Sequence, residues 1–214
     1  MDEKGINKID DYTKQAKAKV VAAGIKLVES GLIARTWGNV SCRISETHFV
    51  ITPSGRDYLT LTIDDIVMVR IEDLSYTGEV KPSGEKAVHA EIYKARPDAN
   101  FVIHTHQENA SVISTLGIDE VNVGSNFQLL GPKIICAAYG LPGTKKLQRS
   151  IAMALTETSG NAIIMKNHGV VCFAKDDETT FQTAMQLEKA SQQYIEKQFL
   201  NRIPVALTEL DAMR

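Results

Sequence analysis

Short β-branched runs and amphipathic helical stretches interleave along this chain, and several of the runs adjoin as hairpins. That pattern restricts the fold to an α/β architecture whose sheet is mixed or largely antiparallel. Ala16, Val20, Ala23, Leu27 and Ser30 recur at helical spacing, which predicts a helix over Ile9–Ser30 stopped at Gly31. Asn39–Ile44 and His48–Thr52 alternate and read as a hairpin. Thr60–Asp65 reads as a turn with a capped helical start, Ile66–Ile71 as a strand, and Leu74–Val80 as a turn at Gly78 followed by a short strand. Ser83 can cap a helix from Glu85 to about Ala95, ended by Pro97. Phe101–Thr105 is an apolar strand and Gln107–Leu116 a helix. Residues 117–143 read as short strands and loops. A helix at Thr144–Thr158, strands at Ala162–Met165 and Val170–Phe173, and a long helix at Asp176–Leu200 complete the pattern.

A chain of 214 residues suits a single domain over 1–214. About 70% of the unfolded surface is buried at this size, so no structural metal or disulfide is needed, and any bound metal is expected to be chemical. The net charge of −2 offers no basic field for nucleic acid or an anionic membrane. No apolar run approaches the ~20 residues of a membrane helix. Met1–Asp11 is charged and lacks the apolar stretch of a signal peptide. Cys42, Cys136 and Cys172 are odd in number and widely spaced, which predicts reduced, buried thiols in a cytoplasmic protein.

The segment from Phe101 to His106 ends an apolar strand in His-x-His. Residues i and i+2 of a strand share a face, so His104 and His106 can grip one metal ion. His168, just after the strand Ala162–Met165, can supply a third imidazole. Three neutral imidazoles and an open position form the pattern of a catalytic metal centre. His48 and His89 carry no such signal. His89 lies one helical turn after Glu85 and can orient that carboxylate or simply pack.

Three segments offer small residues, backbone N–H groups and hydroxyl or amide side chains: 37–41 (Trp37, Gly38, Asn39, Val40, Ser41), 52–55 (Thr52, Pro53, Ser54, Gly55) and 82–85 (Pro82, Ser83, Gly84, Glu85). Such groups can hold phosphate, above all where a helix begins. Each segment alone is also an ordinary turn. Glu85, near the last of them, is a carboxylate that can ligate a metal or move a proton beside a carbonyl.

Taken in order, these segments resemble the class II aldolase/adducin family. Gly38-Asn39-Val40-Ser41 comes first, then Ile51 to Gly55, then Lys81 to Glu85. Ala95 to Ala99 then leads into His104-Thr105-His106, and Lys166-Asn167-His168-Gly169 follows. The resemblance spans about residues 15 to 195 and implies a three-layer α/β/α fold with a central, mostly antiparallel sheet. It implies a homotetramer with active sites between subunits, and His104, His106 and His168 as zinc ligands. Mn²⁺ or another divalent transition metal also suits such ligands. Glu85 takes the place of the acidic residue that ligates the empty metal and serves as acid/base once substrate binds. Gly38, Asn39, Ser54, Gly55, Ser83 and Gly84 fall where the family binds the substrate phosphate. Two consecutive serines are usual where this chain has Ser83-Gly84, so one hydroxyl donor is lost.

The fuculose-1-phosphate aldolase branch fits best, because it keeps Glu at position 85. The implied reaction is cleavage of a ketose 1-phosphate to dihydroxyacetone phosphate and a short aldehyde, with the metal as Lewis acid and Glu85 returning the proton. The sugar would be fuculose 1-phosphate-like, a ribulose 1-phosphate or a 5-deoxypentulose 1-phosphate. Two departures bear on the aldehyde end. The branch places a tyrosine where this chain has Ser125-Asn126-Phe127, and another near the C-terminus, where none follows Tyr194. The alternatives are a ribulose-5-phosphate 4-epimerase, which has Asp where Glu85 stands, and a related sugar-phosphate decarboxylase or dehydratase. An adducin-like non-catalytic binding protein is the alternative from another class, and the three histidines argue against it.

Overall fold

The computed structural model describes residues 3–33 and 37–200. Among the described residues, eight strands form one sheet: β1 (Gly38–Arg43), β2 (His48–Ile51), β3 (Val67–Arg70), β4 (Phe101–Thr105), β5 (Glu120–Asn122), β6 (Lys133–Ala137), β7 (Ala162–Met165) and β8 (Gly169–Ala174). Their spatial order is β3-β2-β1-β4-β8-β7-β6-β5. Every pairing is antiparallel except β6 with β7. A parallel pair needs a crossover, and the helix α4 (Lys145–Glu157) supplies it.

Helices cover both faces of the sheet. On one side α1 (Glu3–Glu29), α3 (Glu108–Ser114) and α5 (Asp177–Leu200) pack Val20, Leu27, Ile113 and Leu187 against Val40, Phe101, Ile103 and Cys172. On the other, α2 (Lys86–Ala95) and α4 pack Val88, Ile92, Leu147 and Ile151 against Phe49, Val102, Ile163 and Phe173. Each large apolar side chain buried this way contributes roughly 1.5–3 kcal/mol. The three-layer α/β/α expectation holds, and so does the mostly antiparallel sheet.

The central strand β4 is buried along its whole length, and its first three residues, Phe101, Val102 and Ile103, are apolar without alternation. It lies between β1 and β8, with His104 directly opposite Asn39 on one side and Val171 on the other. Cross-strand partners project from the same face. Val102 faces the α2/α4 core, and the period of two carries His104 to that same side.

Beyond shifts of one or two residues at other element ends, three features stand apart from the sequence expectation. Helix α1 begins at Glu3 instead of Ile9. The strand expected within Leu74–Val80 is a single bridge between Tyr76 and Val69, because Leu74 turns the chain at φ 63° before a ladder can extend. Ser83 does not cap α2. Glu85 holds the N-cap position, and the Ser83 hydroxyl accepts the Glu85 N–H at 3.2 Å. The cap lies further on because Ser83 N–H is already bonded to Thr52 O, which ties that residue to the neighbouring loop.

The three cysteines are free and buried. Burial pushes the thiols of Cys42 and Cys136 up to about 11 and that of Cys172 higher still. Among the described residues, no helix is long and apolar enough to cross a membrane.

Candidate active site

The site forms where the end of β4, the β7–β8 turn and the start of α2 meet. His104 is the penultimate residue of β4, and His106 follows two positions on, just past the strand end. His168 belongs to the turn between β7 and β8. That turn closes because Asn167 adopts φ 54°, a left-handed conformation Asn tolerates, and its N–H is tied to Ser114 O at 2.9 Å. The next residue but one must be glycine: a Cβ on Gly169 would lie 2.6 Å from Thr105 O, 3.1 Å from His104 Cε1 and 3.2 Å from His106 Nδ1. The absent side chain lets the two histidine-bearing segments close on each other.

The three imidazoles cluster with ring centroids 4.7 to 5.3 Å apart. One nitrogen from each lies within 4.8 Å of the others, a spacing that can hold a metal ion. His104 Nδ1–H donates to Val170 O at 2.8 Å, so in the neutral ring Nε2 carries the lone pair. Glu85 spans two of the rings, with Oε2 2.9 Å from His104 Nε2 and Oε1 3.0 Å from His168 Nε2. Both distances suit an ion pair, yet His104 Nε2 and Glu85 Oε1 make no aligned hydrogen bond, and neither does the buried His168 Nδ1. A buried lone pair facing a carboxylate is repulsive unless a proton or a cation lies between them. The residues therefore fit a divalent metal.

The electrostatics of the metal-free centre agree. Burial favours the neutral forms of both Glu85 and His104, but their mutual attraction wins. It holds the Glu85 carboxyl far below the usual range and raises His104 above the ordinary imidazole value. His106 has no such carboxylate contact, and burial, reinforced by His104 and His168, lowers it to about 4.

The two other loops lie beside this centre. Pro53 and Pro82 form an antiparallel bridge, Ser54 N–H donates to Lys81 O at 3.0 Å, and Ser83 N–H donates to Thr52 O at 3.0 Å. That zipper brings Ser54, Gly55, Ser83 and Gly84 together at the start of α2. Ser54, Gly55 and Gly84 are exposed, whereas Ser83 is buried. Gly38 lies against β4, where a Cβ would come 2.7 Å from His104 O. Asn39 is buried, and its amide is committed at both ends: Nδ2–H donates to Glu85 Oε2 at 3.1 Å, and Oδ1 accepts from His89 Nε2. Of the segment expected to carry a tyrosine, Ser125 and Asn126 are exposed and Phe127 is packed into the α1/α3/α5 core. The C-terminal tail at 201–214 lies outside the described residues.

Two features of the site go further than the sequence reading. Trp37 is exposed at its rim, with its ring 6.4 Å from that of His106. His89 reaches Glu85 only through Asn39. The spacing of Glu85 and His89 on one helix face is visible in the sequence, but the intervening strand residue is not.

The sequence matches the profile of the class II aldolase and adducin N-terminal domain over residues 18–195. The chain belongs to that family. Its curated relatives include the 5-deoxy-D-ribulose 1-phosphate aldolase of Bacillus thuringiensis serovar kurstaki, 32% identical over 182 residues, with 85% of this chain and 84% of the relative covered. An L-fuculose 1-phosphate aldolase structure superposes with a TM-score of 0.81 at 28% identity, covering 92% of this chain and 93% of the other. The L-fuculose-1-phosphate aldolase of Thermus thermophilus shares the fold, with a TM-score of 0.72 at 24% identity over 87% of this chain and 96% of that one. The protein is thus a class II aldolase, and as an enzyme a lyase. Class II aldolases depend on a metal, and the three-histidine cluster of this aldolase can hold one.

Proposed function

We propose that this aldolase cleaves a ketose 1-phosphate to dihydroxyacetone phosphate and a short aldehyde, with 1–214 acting as one catalytic domain. The observation that carries the reading is Glu85, held between His104 and His168 at the edge of the phosphate-type loops. The Bacillus relative supports a 5-deoxypentulose 1-phosphate, and with it acetaldehyde as the second product. The missing tyrosines point the same way, since an apolar aldehyde asks for fewer polar partners at its end than lactaldehyde does. A fuculose- or ribulose-type 1-phosphate is the remaining choice within this reaction class.

In this reading His104, His106 and His168 hold the metal, Zn²⁺ by ligand type, and Glu85 adds a fourth group when no substrate is present. When bound, the cation supplies Lewis-acid polarisation of the substrate carbonyl. Glu85 moves the proton at the carbon beside that carbonyl. Ser54, Gly55, Ser83 and Gly84 hold the phosphate at the start of α2, where the helix dipole favours an anion. Gly38 keeps β1 close to His104. Asn39 would have to release Glu85 to reach a phosphate, so its side chain serves the carboxylate first. Fixing the phosphate turns binding energy into placement of the scissile bond.

A homotetramer with sites at subunit interfaces fits the exposure of Trp37 at the rim and of Leu59, Leu141 and Met153 elsewhere on the surface. Three buried free thiols suit a reducing, cytoplasmic setting.

The test is a coupled assay for dihydroxyacetone phosphate on fuculose, ribulose and 5-deoxyribulose 1-phosphates, before and after chelation. Release that is lost on chelation and restored by metal establishes the reading and ranks the aldehydes. No release from any of the three with metal present sinks it and favours the 4-epimerase or decarboxylase chemistry.

A further inference from the structure

Four buried polar side chains form one unbroken chain ending on Glu85. Tyr93 OH lies 2.7 Å from Ser41 Oγ, Ser41 Oγ lies 2.6 Å from His89 Nδ1, His89 Nε2 contacts Asn39 Oδ1, and Asn39 Nδ2 lies 3.1 Å from Glu85 Oε2. Ser41 and His89 are fully buried, and Asn39 and Tyr93 nearly so. Strand β1 presents Asn39 and Ser41 on one face by its period of two, and α2 brings His89 and Tyr93 on successive turns.

The directions of these bonds follow from the groups at the ends. A carboxylate only accepts, so the Asn39 NH₂ must face Glu85 and its carbonyl must face His89. His89 Nε2 must then carry the hydrogen. Burial lowers His89 to about 3, so the ring is neutral and Nδ1 is an acceptor. Ser41 spends its one hydrogen on Nδ1. Tyr93, kept protonated by burial, donates to Ser41. Each hydroxyl and ring hydrogen in the chain is used once, and no other orientation satisfies all four contacts. An amide does not relay protons under these conditions, so the chain is not a proton wire.

We propose that His89 is a positioning residue for catalysis, fixing the Asn39 amide so that its NH₂, and never its carbonyl, faces Glu85. Without the His89 donor the amide is free to turn over, which would set a carbonyl dipole against the carboxylate and displace it. Tyr93 and Ser41 act one step further back by fixing the His89 tautomer. The inference rests on Glu85 as the proton-transfer group of the proposed reaction. It goes beyond that reading by giving a task to Ser41, His89 and Tyr93, to which the proposed reaction assigns none, and by tying Asn39 to the carboxylate.

The test uses the full chain, His89→Phe, which keeps an aromatic ring without a donor, and His89→Gln, whose amide can restore the donor to Asn39. In metal-free wild-type protein, ¹⁵N NMR should show the Nε2–H tautomer of His89 and one slowly exchanging Asn39 side-chain amide. In metal-loaded protein, H89F should lower kcat roughly 10- to 100-fold with little change in KM, the range typical of losing such an outer partner. H89Q should recover most of that loss. H89F should also lose the slow exchange of the Asn39 amide. An Nδ1–H tautomer in the wild type overturns the inference, as does an H89F variant with wild-type kcat, or an H89Q variant that folds and is as slow as H89F. If H89F does not fold, the tautomer and H89Q decide the matter. If the wild type cleaves no ketose 1-phosphate, the functional reading fails while the tautomer and Asn39 exchange still report on the chain.

Discussion

His104 Nδ1–H is bonded to the Val170 carbonyl at 2.8 Å across the β4–β8 pair, and this contact selects the other ring nitrogen to face Glu85. Because the acceptor is a backbone carbonyl of the neighbouring strand, the ring orientation is set by the sheet register itself. A metal arriving between His104, His106 and His168 therefore meets the His104 lone pair already aimed at it.

His106→Ala should remove one of the three nitrogens and weaken metal binding by more than the roughly 10- to 100-fold cost of losing an outer partner. Competition against a chelator of known affinity measures it. Unchanged metal occupancy would remove His106 from the ligand set.

Glu85→Gln keeps the shape of the side chain and removes its capacity to take a proton. Turnover should fall by a factor on the order of 10² to 10⁴ while the circular dichroism spectrum stays as in the wild type. Near-normal turnover would take Glu85 out of the mechanism.

The metal-free protein should be most stable near pH 6.5, the ordinary titration point of a free imidazole. His89 and His106 are held neutral in the fold, down to about 3 and about 4. The unfolded chain binds protons at these two before the folded one does, so stability falls as pH drops below about 6.5. His104 behaves oppositely: its raised value means the folded state keeps a proton longer, and that contribution is lost as pH climbs above about 6.5. The Glu85 contribution persists down to about pH 4.3 and is lost only in stronger acid. Urea unfolding of the chelated protein at pH 5, 6.5 and 8 reads this out, and stability still rising at pH 5 would contradict it.

Gly169→Ala would force a Cβ to within 2.6 Å of Thr105 O and against both His104 and His106. Overpacking of this kind costs about 1–3 kcal/mol. A lowered Tm together with less bound metal is the expected result, and wild-type values of both would show that the two segments can part without consequence.

Ser54→Ala removes an exposed hydroxyl from the loop that is zipped to the start of α2. A hydrogen bond to a charged group contributes about 1.5–3 kcal/mol. KM for a phosphorylated substrate should therefore rise roughly tenfold or more while kcat changes little. An unchanged KM would make the loop structural.

Much of this protein is legible in the order of its residues. The hairpin of β1 and β2, the apolar strand β4 with its His-x-His end, and the helices α4 and α5 can each be read within a few residues, because strand and helix periods are local properties. The candidate metal cluster is legible for the same reason: His104 and His106 differ by one strand period, and His168 follows a recognisable strand. What cannot be read is anything that depends on two elements meeting. The Pro53–Pro82 bridge takes Ser83 away from the cap position. The β1–β4 register sets Asn39 opposite His104 and turns a residue expected at a phosphate toward Glu85. The same register links His89, one helical turn from Glu85, to that carboxylate through a residue of another strand. Side-chain type and local period are fixed by the sequence because they act within a few residues. Hydrogen-bond partners are chosen by the tertiary structure, because a buried polar group must bond to whatever the packing of distant elements places within about 3 Å of it.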